Sequence, residues 1–164
     1  MTTVLVQAMP GTLTLELDHD PDQAELDAIK ARYVGHGLDV ISADGAHATH
    51  PNHVDRHDPG HPVMVNGGPV IKVNASQRYA TDAESAVPFL TAAAAAGVPV
   101  QRFVSRSDLA CGSTIGPVTA ARLGVPTVDV GVAQFSMHSA RETAGSRDPE
   151  LFRRALVAFL TASG

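Results

Sequence analysis

The chain has 164 residues, 44% of them hydrophobic and 18% charged, with a formal net charge of −5. That is the length of one ordinary domain with enough apolar matter for a packed core, which excludes a wholly disordered chain. The acidic balance argues against a nucleic-acid or anionic-membrane partner, since both need a basic face.

In chain order, Thr3 to Val6 and Thr12 to Leu17 read as short strands, the second from its Thr/Leu alternation. Asp20-Pro21-Asp22-Gln23 has the features of a helix start, with a capping carboxylate and a proline in the first turn. Ala24, Ala28, Ile29 and Tyr33 continue it at helical spacing, and Gly35 and Gly37 stop it. Leu38 to Ser42 is a buried strand that ends at Asp44. From Gly45 to Gly68 no periodicity survives, so a long loop is expected, of the kind that is functional or flexible. Val70 to Val73 is a strand. Thr81 caps a helix through Ala96, stopped by Gly97 and followed by Pro99. Val100 to Val104 is a strand, and Cys111 to Pro117 is a Gly-rich turn leading into a short helix that ends at Gly124. Thr127 to Val132 is rich in β-branched residues and reads as a strand. Arg141 and Glu142 suggest a helix start. Pro149 opens a last amphipathic helix with Phe152, Leu156, Phe159 and Leu160 on one face.

Strands alternating with helices predict an α/β fold, a layered parallel or mixed sheet covered by helices on both faces. Residues 1–164 are expected to form a single domain. One cysteine, Cys111, permits no disulfide framework and favours a reducing compartment, here the cytoplasm. Met1 to Pro10 carries no basic n-region and no long apolar run, so no signal peptide is expected. The longest apolar candidate, Thr91 to Val100, is too short to span a membrane.

Five of the eight histidines, His47, His50, His53, His57 and His61, crowd one stretch, while lysine is reduced to Lys30 and Lys72. Asp44 and His47 form Asp-Gly-Ala-His after a buried strand, a pair suited to zinc; the plain alternative is a turn cap and a solvated histidine. His47, His50 and His53 recur every third residue, as in a histidine-rich metal tract, but such spacing in a Pro/Asn loop does not imply convergence. Lys72 lies inside an apolar strand, where it must either snorkel out along an edge or meet an anion, such as a substrate carboxylate. His138 follows the Thr127 strand, and a lone histidine there is more often structural than catalytic. Cys111 to Pro117 offers backbone N–H groups at a helix start that could hold an anion or a carbonyl. Cys111 and Ser113 have no base partner evident in sequence and are poor nucleophiles. No Walker motif, dinucleotide fingerprint, His-Glu-x-x-His helix or zinc-finger spacing is present.

Five segments taken together resemble the aspartyl aminopeptidase family of zinc metallopeptidases. They are Ser42-Ala43-Asp44-Gly45-Ala46-His47 continuing to Asn52; Gly68-Pro69-Val70-Ile71-Lys72-Val73-Asn74; Gln77-Arg78-Tyr79-Ala80-Thr81-Asp82; Arg106 to Pro117, with Cys111-Gly112-Ser113-Thr114 at its centre; and Asp129-Val130-Gly131 with Ser136-Met137-His138-Ser139-Ala140-Arg141-Glu142. They occur in the family's order, cover residues 41–164 and leave 1–40 unassigned. The resemblance implies a zinc-exopeptidase-like fold, the C-terminal part of the family's catalytic domain and apparently truncated. It implies hydrolysis of N-terminal Asp or Glu residues from peptides, two zinc ions, and assembly into a homo-oligomer. Asp44 and His138 are then zinc ligands, and His47, Lys72 and Tyr79 contact substrate. The chain has no adjacent glutamates, so no general base is identifiable. The alternative is a catalytically incomplete paralogue acting as a binding or structural subunit. A third reading is a metal-binding module built from the loop histidines alone.

Overall fold

The structure is a computed structural model that describes residues 2–8, 11–17, 22–24, 27–28 and 39–162; for the first two segments it gives backbone and pairing only. Its centre is a mixed sheet. The strands are β1 (Thr2–Ala8), β2 (Gly11–Leu17), β3 (Asp39–His47), β4 (Val70–Val73), β5 (Gln101–Val104), β6 (Thr127–Phe135) and β7 (Thr143–Ala144). The order across the sheet is β2-β1-β3-β6-β4-β5, and β7 adds to the end of β6. β3 and β6 run parallel, with Val40 beside Thr127 and His47 beside Gln134. β4 is antiparallel to β6 and parallel to β5. β1 forms an antiparallel hairpin with β2 and lies antiparallel to β3.

Three helices cover the sheet: α1 (Ala83–Ala95), α2 (Gly116–Leu123) and α3 (Asp148–Thr161). Strand side chains alternate between faces. On one face Ile41, Ile71, Val128 and Val130 pack against Phe89, Ala92 and Ala93 of α1 and Ala155 and Phe159 of α3. On the other, Asp129 meets Gly116 at the start of α2. A smaller apolar cluster of Ala46, Val63, Val70, Tyr79, Phe103 and Ala133 lies under the long loop. The expected α/β layering with helices on both faces is therefore present.

Several boundaries differ from expectation, each for a local reason. β3 does not end at Asp44 but continues to His47, because its pairing with β6 runs on without a break. The long loop contains one 3-10 turn, Val54–Arg56. The residue capping α1 is Asp82 rather than Thr81: its carboxylate accepts from the Ser85 N–H at 2.7 Å, and Ser85 Oγ accepts from the Asp82 N–H at 3.0 Å. Thr81 is engaged elsewhere, its hydroxyl accepting from the Asp129 N–H at 2.8 Å. Arg141 and Glu142 open no helix. Left-handed Ser136 (φ 55°) and His138 (φ 68°) turn the chain back, so that Phe135 pairs with Thr143 of β7. Of the helix expected after Asp20, residues 23–24 and 27–28 are helical; Tyr33, Gly35 and Gly37 lie outside the described residues. No helix among the described residues is long and apolar enough to cross a membrane.

Candidate active site

The cleft opens where β3, β4 and β6 meet. Asp44 on β3 stands beside Gly131 on β6, and Gly131 in turn stands beside Val70 on β4. Lys72 lies two residues beyond Val70 and so on the same face. Gly131 makes the junction possible: a Cβ there would lie 2.6 Å from the backbone carbon of Gly45. Across this side-chain-free position the Lys72 ammonium donates to the Asp44 carboxylate, and to the Gly45 carbonyl at 3.2 Å. The side chain of Lys72 is 3% exposed and that of Asp44 is 43% exposed. A buried ammonium needs such a partner, because desolvation of an unpaired charge costs several kcal/mol. Lys72 therefore does not snorkel from an edge. It sits on an inner strand and meets an anion, although that anion belongs to the protein itself.

Tyr79 supports the pair from beside it. Its ring centroid lies 5.2 Å from Lys72 Nζ, within reach of a cation–π attraction. The ring packs edge-on to Phe103 at 6.3 Å, and its phenolic oxygen accepts from Cys111 Sγ at 3.4 Å. Burial, with the Cys111 contact next, pushes the Tyr79 phenol well above its usual pKa, so it stays protonated across the physiological range. His47 ends β3 and faces the same space. Desolvation first, then the charges of His138 and Lys72, hold its imidazole below the usual histidine value. His47 is thus a neutral ring at neutral pH, able to donate or accept one hydrogen bond.

His138 comes from the turn after β6 and is exposed. Its left-handed backbone is fixed by its own N–H, which donates to the Glu142 carboxylate. Such a conformation is uncommon outside glycine, and residues held in it tend to gather at functional sites. Asp44, His47, Lys72, Tyr79 and His138 all line one cleft of about 890 Å³, together with Cys111, Thr114, Gln134, Met137 and Glu142.

The run of histidines does not converge. His50 lies edge-on to Phe135 at 5.5 Å and tilted against His53 at 5.3 Å, while His61 pairs with Asp58 at 2.7 Å on the surface. His57 is buried: its Nδ1 lies 3.1 Å from Thr49 Oγ1 and its ring is edge-on to Phe103 at 5.4 Å. Burial, then the neighbouring His47, lowers its pKa. Among the described residues no group of three or more His, Cys, Asp and Glu side chains is arranged to hold a metal ion. Asp44 and His138 are of the donor types zinc takes, but a catalytic zinc requires three protein ligands. The described residues therefore fit part of a zinc centre and not a whole one.

Two features escape a reading of motifs alone. Glu142 is a carboxylate at the cleft that answers a backbone N–H. Asp129 is fully buried and accepts from the Ala80 N–H at 2.6 Å and from the Thr114 hydroxyl at 2.6 Å. The signal for Asp129 is the one that flags Lys72, a charged residue in the middle of an apolar strand. From the Cys111–Pro117 segment, expected to hold an anion through backbone N–H groups, the recorded contact to this carboxylate is the Thr114 hydroxyl. The protein supplies its own carboxylate at the start of α2, where a side chain on Gly116 would come within 2.3 Å of Asp129 Oδ2.

Comparison with known proteins places the chain in a family. Residues 26–160 match the family model described as aminopeptidase I zinc metalloprotease (M18). A probable M18 family aminopeptidase 2 of Mycobacterium tuberculosis (strain ATCC 25618 / H37Rv) is 60% identical over 123 residues, covering 75% of this chain and 28% of that protein. Among solved structures, a chain from the Ape4 and Nbr1 complex matches 73% of this chain and 22% of its own length at 49% identity and TM-score 0.67. The S. cerevisiae mApe1 dodecamer matches 73% of this chain and 26% of its own at 32% identity and TM-score 0.64. The chain spans less than a third of the length of the curated relatives it matches. The matched segment, 26–160, runs from before β3 into the last turn of α3 and takes in every residue of the cleft, and on this ground the chain belongs to the M18 family of aminopeptidase I zinc metalloproteases.

Proposed function

We propose that the cleft is part of the active site of a zinc aminopeptidase that releases N-terminal Asp or Glu from peptides. The observation that carries the substrate preference is Lys72. It is a buried, fixed cation beside a neutral histidine and a neutral tyrosine, in a chain with almost no other lysine. A carboxylate entering the cleft would meet that ammonium where little water competes, so the attraction is strong. Asp44, open to the cleft over nearly half its side chain, and His138 are the proposed metal ligands. His47, Lys72 and Tyr79 are the proposed substrate contacts. Zinc, when bound, would activate water and polarise the peptide carbonyl. Two ions, as in the resembling family, would draw their further ligands from outside the residues described. Assembly into a homo-oligomer in the cytoplasm is part of the same proposal, supported by the dodecamer of the yeast relative and by the single free thiol.

The test is hydrolysis of paired peptides differing only in an N-terminal Asp or Ala, with zinc supplied, together with the zinc content of the dialysed protein. Preferential release of Asp, lost in Lys72→Met, supports the reading. Equal turnover of both peptides would sink the acidic preference. A second reading, a binding or structural subunit without its own catalysis, is favoured by one observation: the Asp44 carboxylate is already engaged by Lys72. Retention of no zinc and turnover of neither peptide would select it.

A further inference from the structure

We infer that Asp129 is a positioning residue that sets the shape of one wall of the cleft by tying two separate loops to β6. This role rests on the preceding reading only in calling the cleft the site. The carboxylate is fully buried and its two oxygens receive different loops: Oδ2 takes the Ala80 N–H at 2.6 Å, and Oδ1 takes the Thr114 hydroxyl at 2.6 Å. The backbone of the same residue is held by Thr81, whose hydroxyl accepts from the Asp129 N–H at 2.8 Å. Gly116 lies so close that any Cβ would collide with the carboxylate. Each tethered residue adjoins a cleft residue. Ala80 follows Tyr79, whose ring lies beside Lys72, and Thr114 closes the segment that begins at Cys111. Tyr79 and Cys111 then touch each other at 3.4 Å, so the two loops close into one wall. Asp129 does not itself line the cleft; it holds Thr114, which does, and acts through Ala80 and Tyr79 on the surroundings of Lys72.

None of these donors is a cation, so the carboxylate is held by a hydrogen-bond set alone. Asp129→Asn keeps the volume but takes the negative charge out of both hydrogen bonds and turns one acceptor into a donor, which the Thr114 hydroxyl can accept but the Ala80 N–H cannot. Loss of a hydrogen bond to a charged group shifts the opening of its segment by about tenfold or more. In hydrogen–deuterium exchange of the full chain, Asp129→Asn should therefore speed exchange in residues 78–82 and 111–117 by about tenfold, leaving the peptides around Phe89 and Phe159 unchanged. The labelling rate of the Cys111 thiol should rise in step with that local exchange. Unchanged protection in both segments would overturn the proposal. So would a uniform rise across the sheet and helices, which is what a merely structural role predicts. If Asp129→Asn does not fold, Thr114→Val decides, since it removes one tether and leaves the carboxylate in place. It should loosen 111–117 and free Cys111 while 78–82 keeps its protection, and no change at 111–117 would count against the proposal. None of these readouts depends on peptide hydrolysis or zinc, so failure of the proposed function would leave them standing.

Discussion

Lys72 and His138 face the same cleft but are held in opposite ways. Lys72 leaves an inner strand, is buried, and has its charge answered by Asp44, Gly45 and the Tyr79 ring. His138 sits on an exposed turn between two strand ends, in a left-handed backbone conformation fixed through Glu142. The floor of the cleft is therefore set by folding itself: among the described residues no buried side-chain nitrogen or oxygen lacks a partner. The rim is set by a few local contacts and stays open to whatever binds. Groups on such a rim can shift to meet a ligand, whereas groups on the floor are held in place before one arrives.

The sharpest way to break the floor is from beneath. Phe89 is fully buried between α1, α3 and the sheet. Phe89→Ala should cost about 4 kcal/mol, the sum of lost transfer energy and a cavity, read as a lower midpoint in urea. Next comes Asp148, 1% exposed, whose carboxylate accepts from the Asn66 N–H at 2.6 Å and the Gly68 N–H at 3.1 Å. It anchors the end of the long loop to the start of α3, at a point where Asn66 and Gly68 both adopt positive φ. Asp148→Ala would strand two backbone donors and should cost about 3 kcal/mol, again by urea denaturation. A loss under about 1 kcal/mol would mean that the loop finds other partners, and that this part of the floor behaves like rim.

How much of this was legible in sequence depends on which interaction decides each residue. Thr127 to Val132 reads as a strand because β-branching fits a pleated surface whatever its neighbours. Asp44 to His47 does not read as strand, since Asp, Gly, Ala and His suggest a turn; only pairing with β6, remote in sequence, extends β3 through it. Thr81 and Asp82 are both good caps, and nothing local shows that Thr81 is drawn away by Asp129, which lies 48 residues on. The anion required by Lys72 is legible from burial physics, but its identity as Asp44 needs the register across Gly131. The turn at Ser136 to Glu142 is the least legible, because two non-glycine residues in left-handed conformation leave no compositional mark.

Smaller effects separate floor from rim more finely. Lys72→Met removes a buried charge but leaves the partner, Asp44, with water at hand. Methionine fills the space of the aliphatic stem. Stability should therefore change by less than about 1 kcal/mol in either direction, in contrast to Asp148→Ala, whose stranded partners are backbone N–H groups in a partly buried loop. A fall above about 2 kcal/mol would show that Asp44 is less hydrated than its exposure implies.

The smallest predicted effect concerns acid. His57 is buried against Phe103, and burial together with His47 holds its pKa below the ordinary 6.5. In the folded protein the proton is disfavoured, whereas the unfolded chain takes it up at the ordinary value. The contribution of His57 is therefore complete above about pH 6.5, and it is lost as pH falls from there through the lowered folded value. His47 has the same sign for the same leading reason, desolvation. The urea midpoint should accordingly drop between pH 7.5 and pH 5.5. Replacing the buried ring by a side chain that does not titrate, His57→Gln, should flatten part of that drop, at the cost of a lower midpoint at pH 7.5 where the Thr49 contact is lost. A midpoint in the His57→Gln protein that falls with acid as steeply as in the parent would place the acid sensitivity elsewhere, with His47 at the cleft as the next residue to replace.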